Sequence, residues 1–558
     1  MTAIKTKGVK LPMRLKSFTF LTLIIFMSIF SIGGCNNNSQ TGQAIHEEIL
    51  EIINDEFYSN ATWSLKVVDL DTGELIYQLH PEIVAFTGSV RKLFSAGLAL
   101  NELGPDFRFK TPVYRTGAVD SDGVLDGNLI LVASGDLTLG GRNTEEGTIA
   151  FTNFDHVDAN PLGSAILTPQ DPLTGIDELA QQVADSGIKV VNGDVVIDDR
   201  LFDQFVVPND KRLISPIVIN DNLIDVTIIP TIPGEPAMVT WRPQSAAFNV
   251  EADVVTVAEG ENEDVKLSSA EPTCIGFQGC IGKVQGQIPV GFKPDLLGVE
   301  TLVQTFKIDN PTAYARTVFI EALQRAGVTV NTNLIGQNPK QKLPTAASYT
   351  PQTLVAEFIS LPFSETTKLV LKVSHNYGAN LNLILFGVSQ GVKTVQDALE
   401  VERETLINDF GISGNEFNFP TNGSGSPDSQ ASADAIIKLL KEMKDRDVFT
   451  PYFDSLPILG VDGSLATVGK NPPPEPPNPI IAQAYGEVFA KTGTTAKSVD
   501  QEIFLVAQNF AGYIDSKSGR RLAYVVMVNN VGVIGSINDI LRVFDDQGKI
   551  SALIFKEN

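Results

Sequence analysis

Thr87-Gly88-Ser89-Val90-Arg91-Lys92 runs without a break into Leu93-Phe94-Ser95-Ala96-Gly97-Leu98-Ala99-Leu100. A serine with a lysine three residues on, at the opening of an apolar helix, pairs a nucleophile with a base. At that spacing both side chains fall on one helical face, so the Lys92 amine can reach the Ser89 hydroxyl. Apolar surroundings and the positive end of the helix dipole both disfavour an ammonium, which predicts a proton-accepting Lys92 and an activated Ser89. The pairing alone is common. Ser186-Gly187-Ile188-Lys189 repeats it, but leads into the strand-like Val190-Val191 and reads as a helix end.

Two further segments decide between them. Lys491-Thr492-Gly493-Thr494 is the only Lys-Thr-Gly in the chain and follows the strand-like Gly486-Glu487-Val488-Phe489-Ala490. Gly493 lets a substrate backbone lie against a strand edge, while Lys491, Thr492 and Thr494 offer a positive charge and two hydroxyls to a carboxylate. Ser374-His375-Asn376 lies in a helical region. The same Ser-x-Asn spacing at Ser413 and Ser536 reads as a turn and a helix cap. The order is the signal: Ser-x-x-Lys behind an early hairpin, Ser-x-Asn among helices, then Lys-Thr-Gly on a strand ahead of two more strands.

Length and composition frame these segments. A chain of 558 residues exceeds one compact core and predicts about three domains. A formal charge of -24 argues against a nucleic-acid partner, which needs a basic face. At the N-terminus, Lys5, Lys7, Lys10, Arg14 and Lys16 precede an apolar run over 18–32, then Gly33-Gly34-Cys35. A basic region, a short apolar stretch and small residues make a secretory signal over 1–34. Cys35 resembles the lipidated cysteine of a bacterial lipoprotein, which implies a membrane contact through a lipid anchor, and residues 35–44 read as a polar tether. The other cysteines, Cys274 and Cys280, are six apart and predict a local disulfide in an oxidising compartment. His46, His80, His156 and His375 are scattered without zinc spacing, so neither metal nor cofactor is expected.

Residues 42–56 have helical periodicity, and a hairpin is expected from strands at 63–70 and 74–79 around Asp71-Thr72-Gly73. From about Pro112 the text turns to short strands and Gly/Asp turns, with helices at 176–187 and 311–327. We read 113–339 as an inserted region with a nested all-β module at about 236–305. Helical pattern returns at 350–361 and 364–390. Two apolar strands at 501–514 and 521–530 and a helix at 536–544 close the chain. The late strands can pair with the early hairpin in one antiparallel sheet, so 45–112 and 340–558 form one domain. Lys470 to Pro479, rich in proline, predicts a stiff loop. Asp155-His156 reads as an ordinary polar loop.

The three segments resemble the motifs of penicillin-binding proteins and serine β-lactamases. Ser89 and Ser374 lie 285 residues apart, and an insertion of that size resembles the low-molecular-mass class C penicillin-binding proteins, serine D-alanyl-D-alanine carboxypeptidases and endopeptidases. The stretches 192–199, Gly423-Ser424-Gly425 and 456–464 also fit that family, and the likeness spans roughly 45–558. The resemblance implies an α+β transpeptidase fold with a central antiparallel sheet flanked by helices. It implies peptidoglycan stem peptides as substrates, β-lactams as covalent inhibitors and a place in the cell envelope or periplasm, and leaves the oligomeric state open. It makes Ser89 the acylated nucleophile and Lys92 its base. Ser374 becomes a proton relay supported by Lys491, and Asn376 a ligand of the substrate peptide. Thr492 and Thr494 then bind the terminal carboxylate, with the backbone N–H groups of Ser89 and Thr494 as the oxyanion site. Asn422 and Asp428 stand where the family has Asp and Arg, which alters the pocket for the third stem residue. A serine β-lactamase and a non-catalytic cell-wall-binding lipoprotein are the competing readings. The Glu-x-x-Leu-Asn pattern of class A β-lactamases is absent.

If Cys35 carries the lipid, Cys35→Ser should move the protein from the membrane to the soluble fraction on cell fractionation; an unchanged distribution would remove the anchor.

Overall fold

The computed structural model describes residues 42–208, 211–269, 274–294, 297, 299–470, 476–499 and 502–558. Cys35, the signal segment and most of the tether lie outside them, as do residues 471–475 of the proline stretch. No helix among the described residues is long and apolar enough to cross a membrane.

Both ends of the described chain meet in one five-stranded antiparallel sheet. The hairpin Thr62–Asp69 and Leu75–Leu79 lies at one side, and Thr62–Asp69 pairs with Arg521–Ile534 in the register Trp63↔Val528 and Val67↔Tyr524. Next comes Glu502–Asp515, then Val488–Val499 at the far edge. Residues alternate sides along a strand. Ala523, Val525 and Met527 therefore face one hydrophobic cluster, with the helices Lys92–Leu103, Phe363–Lys372, Asn376–Ser389 and Ala433–Lys444. Tyr524, Val526 and Val528 face another, under the final helix Ile537–Glu557. That helix runs well past the expected 536–544 because Val543, Ile550, Leu553 and Ile554 continue its apolar face onto the sheet.

The helix Lys92–Leu103 is apolar almost all round, as a helix must be that is buried on every side. Gly88–Arg91 precedes it as a 3₁₀ turn. Arg91 anchors the junction: its guanidinium, fully buried, pairs with the equally buried Glu402 and lies 4.0 Å from the centroid of the Phe419 ring.

A third cluster gathers residues between Val113 and Phe358. A four-stranded sheet in the order Leu354–Ile359, Lys110–Arg115, Leu129–Val132, Val195–Asp198 packs with the helices Thr174–Asp185 and Pro311–Arg325. Among described residues from 236 to 305, all regular structure is strand, and Cys274 and Cys280 are disulfide-bonded. The helix expected at 350–361 is instead the strand Leu354–Ile359, paired with Lys110–Arg115. Past a register irregularity between Leu354 and Ala356, burial alternates: Ala356 and Phe358 point inward, while Val355, Glu357 and Ile359 are more open, so period two overrode helical propensity.

Removing one partner of a buried ion pair leaves the other charge uncompensated. Glu402→Ala is therefore expected to cost about 3–5 kcal/mol of stability, measured by urea unfolding. A loss below about 1 kcal/mol, the range of exposed pairs, would show that Arg91 finds another partner.

Candidate active site

Ser89 sits inside the 3₁₀ turn, where side chains three apart eclipse one another. The Lys92 amine accordingly lies 2.6 Å from Ser89 Oγ. It also reaches Asn376 Oδ1 at 2.7 Å and Ser374 Oγ at 3.3 Å. Ser374 Oγ receives a second amine, Lys491 Nζ, at 2.9 Å, and Lys491 in turn donates to the Thr492 carbonyl at 2.7 Å. Both lysines are fully buried, whereas Ser89, Ser374 and Asn376 are partly open to solvent.

Three local features aim these groups. Ser374 interrupts what would be one long helix: Phe363–Lys372 ends before it, Asn376–Ser389 starts after it, and its φ of +60° turns the chain between them. His375 caps the second helix, its Nδ1 accepting the Gly378 N–H at 2.9 Å. The edge strand Val488–Val499 carries Lys491 inward and presses its backbone against the Ser89 turn. A Cβ on Gly493 would lie 2.7 Å from Val90 N and 2.9 Å from Ser89 N, and one on Gly88 2.7 Å from Thr494 N. Only hydrogen fits at either position, and the backbones of Ser89 and Thr494 come side by side.

The threonines have partners the sequence did not name. Thr492 Oγ1 donates to Ser464 Oγ at 2.8 Å, and Thr494 Oγ1 to Gln508 Oε1 at 2.6 Å. Ser426, beside the Asn422 turn, lies 2.8 Å from Thr495 Oγ1. Asn422 Oδ1 accepts from the N–H groups of Ser424 and Gly425, and Asp428 accepts from Thr421. Asp428 is thus committed within its own loop. Ser464 belonged to a stretch that fitted the family without a role; Gln508 had no local signal.

The decoys behave as local structure. Ser186 caps a helix end and donates to the Val183 carbonyl, Ser413 bonds Asn415 in a turn, and Ser536 caps the last helix. Asp155-His156, read as an ordinary polar loop, is instead buried. Asp155, Asp221 and His375 stand close enough to share a cation, but the Arg142 guanidinium already bonds both carboxylates.

Residues 45–540 match the D-Ala-D-Ala carboxypeptidase 3 (S13) family. The chain belongs to that family. This S13 chain is 26% identical over 511 residues to the D-alanyl-D-alanine carboxypeptidase of Actinomadura sp. (strain R39), covering 87% of this chain and 81% of that one. It is 23% identical over 478 residues to D-alanyl-D-alanine carboxypeptidase DacB of Haemophilus influenzae, covering 83% and 84%. Its fold is similar to that of penicillin binding protein 4 of Haemophilus influenzae, with a TM-score of 0.64 at 18% identity over 91% of this chain and 99% of that one. The expected α+β architecture therefore stands.

Burial first, and the nearby Lys92 second, hold the Lys491 amine well below the ordinary lysine range, against the pull of Asp158. The unfolded chain thus binds a proton that the folded chain resists. That cost is fully present below the lowered value and fades as pH rises towards about 10.4. Thermal unfolding should show the wild type gaining stability relative to Lys491→Met across that window. A flat difference would mean that the amine titrates normally.

Proposed function

We propose that this S13-family chain is a peptidoglycan D-alanyl-D-alanine carboxypeptidase, with endopeptidase action on cross-links, working through an acyl-serine at Ser89. The observation that carries the proposal is one buried amine, Lys92 Nζ, within hydrogen-bond distance of Ser89, Ser374 and Asn376 together, with a second amine on the far side of Ser374.

The chemistry follows from the contacts. Lys92 takes the Ser89 proton as Oγ attacks the carbonyl carbon of the penultimate D-alanine. The developing oxyanion is met by the backbone N–H groups of Ser89 and Thr494, each such donor being worth about 3 kcal/mol. The C–N bond breaks, Ser374 passes the proton to the departing amine, and Lys491 stabilises the relay from behind. Water then hydrolyses the acyl-serine and restores Ser89. Asn376 gives its carbonyl oxygen to Lys92, so its amide N–H₂ is the group offered to the substrate backbone. Thr492 spends its proton on Ser464, whose own hydroxyl proton can then face the terminal carboxylate. Thr494 reaches the same carboxylate by turning from Gln508. A β-lactam carbonyl would enter the same attack and remain bound.

The same reading assigns the chemistry to residues 45–112 with 340–558, and treats 113–339 as an inserted region to whose sheet Leu354–Ile359 adds a strand. It places the protein in the cell envelope, tethered by lipid on Cys35.

Incubation with a fluorescent penicillin should label the wild type and leave Ser89→Ala unlabelled at an unchanged melting temperature. Label retained by that variant would put the nucleophile elsewhere, and release within seconds would favour a β-lactamase. Mass spectrometry of muropeptide products should show loss of terminal D-alanine.

A further inference from the structure

Residues 142–161 and His375 have no part in the mechanism above, yet they meet behind it. Arg142 forks onto Asp155, with Nη1–Oδ2 at 2.7 Å and Nη2–Oδ1 at 2.8 Å, and reaches Asp221 Oδ2 at 3.0 Å. His156 bridges two aspartates, with Nε2 2.6 Å from Asp221 Oδ2 and Nδ1 2.6 Å from Asp225 Oδ1. Arg242 closes the chain on Asp225 at 3.1 Å. Burial opposes these charges, but the partners outweigh it. Asp225 and Asp221 raise His156 to about 10, and His375 and Arg142 hold Asp221 well below the carboxylate range.

Asp221 is the point at which this cluster touches the active site. It lies in a run of three non-glycine residues with left-handed backbone: Asn220 at φ +50°, Asp221 at +55° and Asn222 at +54°. Such backbone persists in non-glycine residues only where the surroundings over-determine it. The run faces the Ser374–Asn376 segment. His375 Nδ1 accepts the Gly378 N–H, so the ring proton sits on Nε2, 3.1 Å from Asp221 Oδ1. Both atoms are buried and neither makes a hydrogen bond, so they meet as an electrostatic contact. One residue on, Asn222 Nδ2 donates to Tyr377 Oη at 3.0 Å, and Oη also accepts the Ser215 N–H at 3.0 Å. Asn376 is thus held through both of its neighbours, His375 and Tyr377, by two adjacent residues of one strained turn.

We propose that the Asn220–Asp221–Asn222 turn is a positioning clamp for Ser374 and Asn376, and that the Arg142–Asp155–His156 cluster holds the clamp in shape. Asp221, Asn222, His156 and Tyr377 are positioning residues; none touches the reacting atoms. The proposal rests on the acyl-serine reading. Its consequence is that the inserted region sets the rate of acylation through packing, since a displacement of about 1 Å in such a site costs about 10²-fold.

The test is the rate of penicillin acylation of the full chain, separated into the saturating rate constant and the half-saturating concentration. Asp221→Asn and Tyr377→Phe should each lower the rate constant at least about 10-fold, leaving the half-saturating concentration within about threefold and the final labelling stoichiometry unchanged. Asp194→Asn breaks a different buried pair of the inserted region, Arg316 Nη2–Asp194 at 2.6 Å, and should lower the melting temperature with the rate constant intact. Rate constants within about twofold of wild type in both clamp variants overturn the proposal. So does an Asp194→Asn variant slowed as much as they are. Should Asp221→Asn fail to fold, Tyr377→Phe, which loses one hydroxyl, decides the matter. A wild type that takes no label overturns the acyl-serine reading itself and the clamp with it; a slow variant beside a fast wild type leaves that reading standing.

Discussion

Two lysine amines are buried around a single serine hydroxyl, and much of the molecule exists to keep them there. Placing one ammonium out of water is costly, and placing a second beside it adds repulsion. Lys491 bears that cost openly in its lowered proton affinity. What holds the arrangement is the rigidity of the elements that carry it: a helix buried on all sides, an edge strand paired along its whole length with Glu502–Asp515, and a helix pair broken at Ser374.

The closeness of those elements has a backbone cause. Gly88 and Gly493 pack against each other's backbones, and a side chain at either would part the Ser89 turn from the Lys491 strand. The Arg91–Glu402 pair fixes the same turn from below. Packing and chemistry are therefore one constraint here. The residue next to the proposed base, Arg91, is tied to the helical layer, while Gly493, two residues past the second amine, is stripped to a hydrogen.

Strain gathers at the same place. Ser374 and the Asn220–Asn222 run all hold left-handed backbone without being glycine, and they lie on the two sides of one contact. Residues 220–222 reach the Ser374–Asn376 segment through that contact. Asp158, near enough to act electrostatically on Lys491, is a second approach from the same stretch. The long stretch between the Ser-x-x-Lys helix and the Ser-x-Asn turn thus packs directly behind Ser374 and Asn376.

Local pattern by itself determined a good part of this protein. The hairpin, the two late strands, the helices 174–185 and 311–325 and the order of the three motif segments are all legible because alternation, helical periodicity and motif spacing are properties of neighbours in the chain. Tertiary structure decided the rest. It made a strand of 354–359, because only pairing with Lys110–Arg115 reveals which face of that segment is wet. It turned Asp155-His156 from a polar loop into a buried ionic cluster, because the partners of His156, Asp221 and Asp225, lie 65 and 69 residues away. It also gave Thr492 and Thr494 their partners Ser464 and Gln508, since hydrogen bonds between distant hydroxyls and amides leave no periodic trace in a sequence.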